Sequence, residues 1–318
     1  MSNWPQRFDA HVVVFGYKRS QHLQMTLERL AEAEGASETS VTIFIDGPKG
    51  DVDDKGLVQE THRIAERNYG FASKEVICAE SNQGLAKSII RGVSTVLKSN
   101  EKVIVLEDDI LVGYGFLRFM NDALHRYEKS IEVLSISGYV APEIGVEIQR
   151  SFGKASAGFA PRTSSWGWAT WRRAWQNAKW AGIKYPGDIR NIVWPLNSCG
   201  NDMRHMLMLQ DERLIDSWAV LWAAHHFIKG GGCLYPSKSF VENIGLDGSG
   251  TNCRSTGRFT TDSDGFDVGV DVKWPNDFSV APSVLSAFCQ VYNRPLGSYV
   301  KWSVIRLLQR LGIRKYSR

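Results

Sequence analysis

Residues 102–111 read KVIVLEDDIL, Lys102 to Leu111. Four apolar residues, Val103 to Leu106, run straight into three carboxylates, Glu107, Asp108 and Asp109, and apolar residues resume at Ile110. So short an unbroken apolar run is expected of a strand buried on both faces, as in a parallel sheet. Open α/β sheets gather their ligands at the carboxyl ends of such strands. Adjacent acids repel one another and resist desolvation. Two readings follow: the triplet holds a cation, for which hard oxygen ligands suit Mg2+ or Mn2+, or it is a solvated acidic turn.

Working towards the N-terminus, the same texture repeats. His11–Gly16, HVVVFG, reads as the first strand, and Ser20 is placed to cap a helix carrying Leu23, Leu27 and Leu30. Val41–Ile45 is a second strand ending in Asp46-Gly47-Pro48, a turn that suits either a ligand group or an ordinary reversal. A helix over Leu57–Tyr69, a strand at Val76–Cys78 and a helix over Ala86–Leu97 lead to the acidic strand. This β-α alternation predicts a mostly parallel sheet with right-handed crossovers. No GxGxxG follows the first strand and no GxxxxGK[ST] occurs, so the dinucleotide and P-loop fingerprints are missing.

Composition narrows the class. The 318 residues carry a formal net charge of +4, too little to point to nucleic acid. Five cysteines are scattered without a CxxC pair, which favours a reducing compartment over a disulfide framework. The N-terminus has no signal pattern and no apolar run is long enough to span a bilayer, so a cytoplasmic chain is expected.

Beyond the acidic strand, Gly115–Lys129 reads as a helix and Val133–Gly138 as a strand. Then FAPRTSSWGWATWRRAW, Phe159 to Trp175, packs four tryptophans into a hydroxyl- and glycine-bearing stretch. Such aromatics serve as core or as a wall on which sugar C–H faces stack; on the second reading Trp166, Trp168 and the later Trp218 bind an acceptor. Leu207–Leu221 has helical spacing, with His225-His226 at its end in no zinc-binding pattern. Gly245–Gly257 is a Gly/Ser-rich loop able to cover phosphates. From residue 296 to 318 a basic amphipathic helix is expected, suited to an anionic membrane surface or to docking on protein.

In order and kind, these pieces resemble glycosyltransferases of the GT-A fold, most closely the N-acetylglucosaminyltransferase I family, whose acidic triplet is also Glu-Asp-Asp. The resemblance covers residues 10 to 260. It implies an α/β GT-A domain over 1–282, with a nucleotide-sugar half at 1–140 and an acceptor half at 141–282; the basic amphipathic helical tail expected at 283–318 has no counterpart in the family. It implies that Asp109 holds the metal, Mn2+ or Mg2+, as cofactor. Asp108 would lie beside the ribose and donor sugar, Glu107 beside the donor sugar, Arg19 near the diphosphate or the base, and Asp46 beside uracil. Ser249, in the Gly248-Ser249-Gly250 stretch, would belong to the phosphate-covering loop. Asp216, in Asp216-Ser217-Trp218, would be the catalytic base, although the family has a second acid where this chain has Ser217.

The implied activity is inverting transfer of a sugar, GlcNAc by closest resemblance, from a UDP-sugar to a glycan or lipid-linked acceptor in surface polysaccharide synthesis. Partners are the donor, the acceptor and an anionic membrane surface through 296–318, at the inner face of the membrane, with no nucleic acid. Two rivals stand beside it. A nucleotidyltransferase shares the sheet and the carboxylate-held metal, but Gly16-Tyr17-Lys18-Arg19 matches its loop poorly. A non-catalytic carbohydrate- or membrane-binding protein would not need the intact acidic triplet.

Overall fold

The computed structural model describes residues 7–50, 52–153, 156–181, 183–184, 187–189, 192–247 and 272–294. In chain order the first half gives β1 (His11–Gly16), α1 (Ser20–Ala31), β2 (Ser40–Ile45), α2 (Val52–Glu66), β3 (Ser73–Cys78), α3 (Leu85–Val96), β4 (Lys102–Glu107), β5 (Ile110–Val112), α4 (Phe116–Arg126) and β6 (Val133–Ser137). The second half gives α5 (Pro142–Phe152), β7 (Ala157–Ala160), β8 (Trp168–Trp171), α6 (Arg172–Trp175), α7 (Asp202–Asp211), α8 (Trp218–Lys229), β9 (Gly232–Pro236), β10 (Val241–Asn243) and α9 (Pro282–Tyr292).

Eight strands form one sheet in the order β3-β2-β1-β4-β8-β6-β9-β7, and β5 pairs with β10 in a separate ribbon. β1 to β4 are mutually parallel, as the β-α alternation predicts. β8 runs antiparallel between β4 and β6, and β7 antiparallel beside β9, so the sheet is mixed but mostly parallel and flanked by helices. The two sequence halves share this one sheet, because β6 pairs with both β8 and β9.

Side chains alternate across a strand, and the alternation divides the interior in two. Val12, Val14, Ile104 and Leu106 enter one core with Leu23 and Leu27 of α1 and Phe116 of α4. Val13, Phe15, Val103 and Val105 enter the other with Ile89 and Val93 of α3 and Trp222 of α8. Because β1 and β4 are buried on both faces, their sequences read as continuous apolar runs. β8 follows the same rule: Trp168 faces the second core and Trp171 the first.

Three expectations are corrected here. The stretch 207–221 is not one helix. It breaks after Asp211 and restarts at Trp218, with Arg213 in the left-handed region at φ 57°. Ser20 does not cap α1: the cap position falls on Arg19, and no side chain caps it. The chain from 283 does not leave the domain as a tail, since Val284 and Phe288 of α9 are buried and the Phe288 ring lies 5.1 Å from that of Tyr235. The basic helix expected at 296–318 lies outside the described residues. No described helix is long and apolar enough to cross a membrane.

Trp168 and Trp218 are 1% and 3% exposed, and their rings stack at 5.0 Å. Trp175 and Trp222 join them, 5.6 and 6.1 Å from Trp168. Neither Trp168 nor Trp218 forms a sugar-facing wall; burial in the second core leaves no face for a ligand. His226 belongs to the same core. Burial pushes its pKa down to about 3, so it is neutral, and its ring nitrogens meet Ser135 Oγ at 2.8 Å and Trp222 O at 3.0 Å. Trp168→Ala is expected to lower unfolding stability by about 3–5 kcal/mol, the usual scale for emptying a buried aromatic site, measured by urea denaturation. Trp168→Phe should lose much less.

Candidate active site

The carboxyl ends of β1, β2 and β4 lie side by side, since β1 pairs in parallel with both β2 and β4. Each is followed by a charged residue the sequence reading singled out: Arg19, Asp46 and the acidic triplet. β4 ends at Glu107, Asp108 and Asp109 make a turn, and β5 begins at Ile110. The strand and the acids thus separate where the apolar run stops.

Arg19 Nη2 donates to the carboxylates of both Asp108 and Asp109, the latter at 2.7 Å. Against the cost of desolvation, these two charges hold the guanidinium protonated, above its ordinary value. Nη1 of the same group is buried with no hydrogen-bond partner among the described residues. An orphaned charged donor in such a place is unfavourable until an acceptor arrives. α1 begins at the next residue, Ser20, with no acidic residue in its first turn and no side-chain cap for the N–H groups there.

The acids themselves are short of positive charge. Desolvation raises the Asp108 pKa to about 6; Arg19 pulls it down and Asp109 pushes it up. Desolvation, then Asp109 and Asp108, drive Glu107 well above the ordinary carboxylate range, with Arg19 opposing. Thr26 Oγ1 donates to the Asp108 carbonyl at 2.8 Å, and Ile244 N donates to that of Asp109 at 2.9 Å. β10 pairs with β5 across Asn243 and Ile110, which brings Gly245 against the acidic turn. A Cβ at Gly245 would overlap the Asp109 carboxylate.

Among the described residues no three His, Cys, Asp or Glu side chains converge as a complete metal site. The arrangement nonetheless fits a divalent ion of the kind held by one or two carboxylates and completed by substrate phosphates. Asp109, with Asp108 beside it, supplies hard oxygen donors in a turn whose charge a single Arg does not balance.

Asp46 has a different place from the one expected. It is buried and accepts four hydrogen bonds, from Gly47 N (2.9 Å), Gln83 N (2.8 Å), Gly84 N (3.0 Å) and Asn82 Nδ2 (3.0 Å). Two carboxylate oxygens offer about four lone-pair sites, and protein donors take them all. Its role is to bind the loop after β2 to the loop after β3, not to present a free acceptor to uracil. Gly47 is required there, since a Cβ would overlap the backbone of Ser81.

Asp216 is exposed, between α7 and α8. Ser217 caps α8 by accepting from Val220 N at 3.4 Å, and its own N–H donates to Gln210 Oε1 at 2.9 Å. Two residues after Asp216, Trp218 stacks on Trp168, which pairs with Val105 of β4. This chain of contacts anchors the start of α8, two residues after Asp216, to β8 beside the carboxyl-terminal part of β4. Ser249 falls outside the described residues.

Trp166 is partly buried and lines a cleft of about 200 Å³ between the 161–166 stretch and α7 and α8. The cleft also holds residues that sequence reasoning missed: Tyr139, Arg162 and Tyr292. Tyr139 follows β6 by two positions, so the strand-end rule could have flagged it. Tyr292 arrives on α9 from far along the chain, and no sequence pattern announces it. Asp54 was also missed. Buried in α2, it accepts from Tyr17 Oη, Lys18 Nζ (3.0 Å) and Lys49 N (2.6 Å), tying α2 to the ends of β1 and β2.

No family model and no curated protein matches the chain. Among solved structures it is similar to TarS of S. aureus, 17% identical, over 39% of this chain and 20% of that one, with a TM-score of 0.27. It is similar to mouse xyloside xylosyltransferase 1 in its apo form, 9% identical, over 69% and 81%, with a TM-score of 0.35. A third is the glucosyl-3-phosphoglycerate synthase of Mycobacterium tuberculosis, in complex with Mn2+, UDP-glucose and phosphoglyceric acid: 9% identical, 54% and 62% covered, TM-score 0.30. The chain spans a fifth of the length of TarS. Likenesses this distant assign no chemistry to the chain; its own residues must do so.

The Asp54 cluster sets an acid limb on stability. Hydrogen bonding by Tyr17, Lys49 N and Lys18 outweighs desolvation and lowers the Asp54 pKa from 3.8 to about 2. A depressed carboxylate contributes stability above its unfolded pKa and loses it as pH falls through the folded one. Wild type should therefore lose stability relative to Asp54→Asn as pH drops from about 4 to about 2. Urea unfolding of both proteins at a series of pH values measures the difference.

Proposed function

We propose that the chain is a metal-dependent, inverting glycosyltransferase that moves a sugar from a UDP-linked donor to an acceptor hydroxyl. The observation that carries this reading is the acidic turn after β4, spanned by Arg19, whose second terminal nitrogen is buried and unpaired. A cation and a diphosphate together would complete both the acids and the orphaned donor.

Arg19 and the start of α1 bind and orient the diphosphate through N–H donors. The loops joined by Asp46 form the floor on which the base lies. Asp108 and Glu107 stand beside the donor sugar. Asp109, with Asp108, would hold the divalent ion, Mn2+ or Mg2+, which as a Lewis acid neutralises charge on the departing diphosphate. Asp216 takes the proton of the acceptor hydroxyl. The acceptor oxygen forms its bond to the anomeric carbon as the bond from that carbon to the diphosphate oxygen breaks, with inversion. UDP carries away the electron pair and Asp216 keeps the proton. The donor is UDP-N-acetylglucosamine by sequence resemblance, the acceptor a glycan or lipid-linked sugar, and the site of action the inner face of a membrane.

Calorimetry of UDP binding with and without Mn2+ tests the donor side. Wild type should bind UDP in a Mn2+-dependent way, and Asp109→Ala should remove that dependence. Asp216→Asn should keep UDP binding and lower transfer by roughly 10²–10⁴-fold, the usual contribution of a positioned base. Metal-independent UDP binding, or a product with retained anomeric configuration, would sink the mechanism.

A further inference from the structure

The cleft beside Trp166 has a composition that selects among acceptors. Among its described lining residues the buried cation is Arg162, 9% exposed. Asp202 neutralises it through two parallel hydrogen bonds, Nη1 to Oδ1 at 2.7 Å and Nη2 to Oδ2 at 2.9 Å. Its guanidinium carbon also lies over the Tyr292 ring, 3.8 Å from the centroid. A fork–fork pair stacked on an aromatic ring is fully engaged. Among the described lining residues no cation is left for an anionic ligand.

The neutral polar groups, in contrast, are placed for use. Thr163, Ser164 and Ser165, three consecutive hydroxyl-bearing residues, line the wall, and Ser164 Oγ accepts from Trp166 N at 3.3 Å. Tyr139 is 2% exposed and its hydroxyl has no hydrogen-bond partner. Burial lifts its pKa well above the ordinary value, so it remains a neutral O–H donor. Its ring meets Trp166 at 4.4 Å and 61°, making an aromatic corner. A corner of this kind suits the C–H face of a sugar, and hydroxyl donors and acceptors suit its rim. The volume, about 200 Å³, is on the scale of one sugar ring.

The cleft also adjoins the proposed chemistry. Gly138 N donates to Gly167 O at 2.6 Å, joining the residue before Tyr139 to the residue after Trp166. A Cβ at Gly167 would stand 3.4 Å from Leu106, the residue before the acidic triplet. Ala219 and Val220 of α8 line the opposite wall, three and four residues after Asp216.

We propose that this cleft is the acceptor subsite and that it takes a neutral sugar in preference to a uronate or a phosphorylated sugar. This deepens the transferase reading and rests on it. Selection works by omission: an anion entering the cleft gives up its hydration and meets no free cation, whereas a neutral sugar finds hydroxyl partners and an aromatic face.

Saturation-transfer NMR tests it, using the full chain with and without UDP and Mn2+. The probes are the methyl glycosides of glucose, galactose and N-acetylglucosamine, set against methyl glucuronide and glucose 6-phosphate. At least one neutral glycoside should bind about tenfold more tightly than either charged one, and Trp166→Ala should weaken it about tenfold, the scale of one lost aromatic contact. Trp166→Phe and Tyr139→Phe, which keep the aromatic volume, guard against a folding defect and should give smaller losses with UDP binding unchanged. Charged glycosides binding as well as neutral ones, no glycoside binding to wild type, or neutral binding indifferent to Trp166 would overturn the proposal. Failure of wild type to bind UDP would instead overturn the transferase reading, and the glycoside arm without UDP would still decide the cleft.

Discussion

Three carboxylates at the end of one buried strand are an electrostatic problem, and much of the fold answers it. A strand buried on both faces delivers Glu107, Asp108 and Asp109 to a place where water is scarce. Burial and mutual repulsion push Glu107 and Asp108 towards the protonated state. One guanidinium, from the loop that opens α1, supplies the main opposing charge. The backbone supports are equally directed. Thr26 and Ile244 satisfy the carbonyls of Asp108 and Asp109, and the β5–β10 ribbon keeps the chain after the turn from moving away. Buried charges left partly compensated are seldom present without use, because they lower stability unless a ligand completes them.

Around that centre the two-core architecture supplies rigidity. Because β1 and β4 pack on both faces, the loops that follow them begin from immobile strand ends. The tryptophan cluster does the same for α8. With Trp168, Trp175, Trp218 and Trp222 in mutual contact, the first turn of α8 is anchored to β8 and hence to β4. The proposed base therefore depends for its position on aromatic packing, which explains why residues so suggestive of a sugar platform are spent in the interior.

Much of the donor half was legible in the sequence. Its β-α periodicity is strong, β1 and β4 are nearly unbroken apolar runs, and the acidic triplet and Arg19 follow strand ends, where open sheets gather their ligands. The acceptor half was less so. WATW carries tryptophans on both faces of a central strand, a pattern that apolar content alone does not separate from a surface wall. The helix α5 starts at Pro142 and offered only a short periodic segment. Asp46 looked like a ligand because an acid at a strand end usually is one; only the three-dimensional approach of Asn82–Gly84 shows its lone pairs already taken. Arg162, Asp202 and Tyr292 meet across 130 residues, a distance over which no local pattern speaks.

The reversed direction of β8 has a consequence for how such a protein can diversify. A parallel strand offers the rim only the loop that leaves it. β8 runs the other way, so the segment entering it, 161–167, reaches the rim instead. That segment belongs to no repeat of the β-α plan; it leads into the β4–β8 ladder, and its Gly167 O accepts from Gly138 N after β6. Changes in 161–166 can alter what is recognised in the cleft while the ends of β1, β2 and β4 keep their sequence. The sheet thus brings two kinds of segment to one rim: loops that leave parallel strands, and one that enters a reversed strand and can change without them.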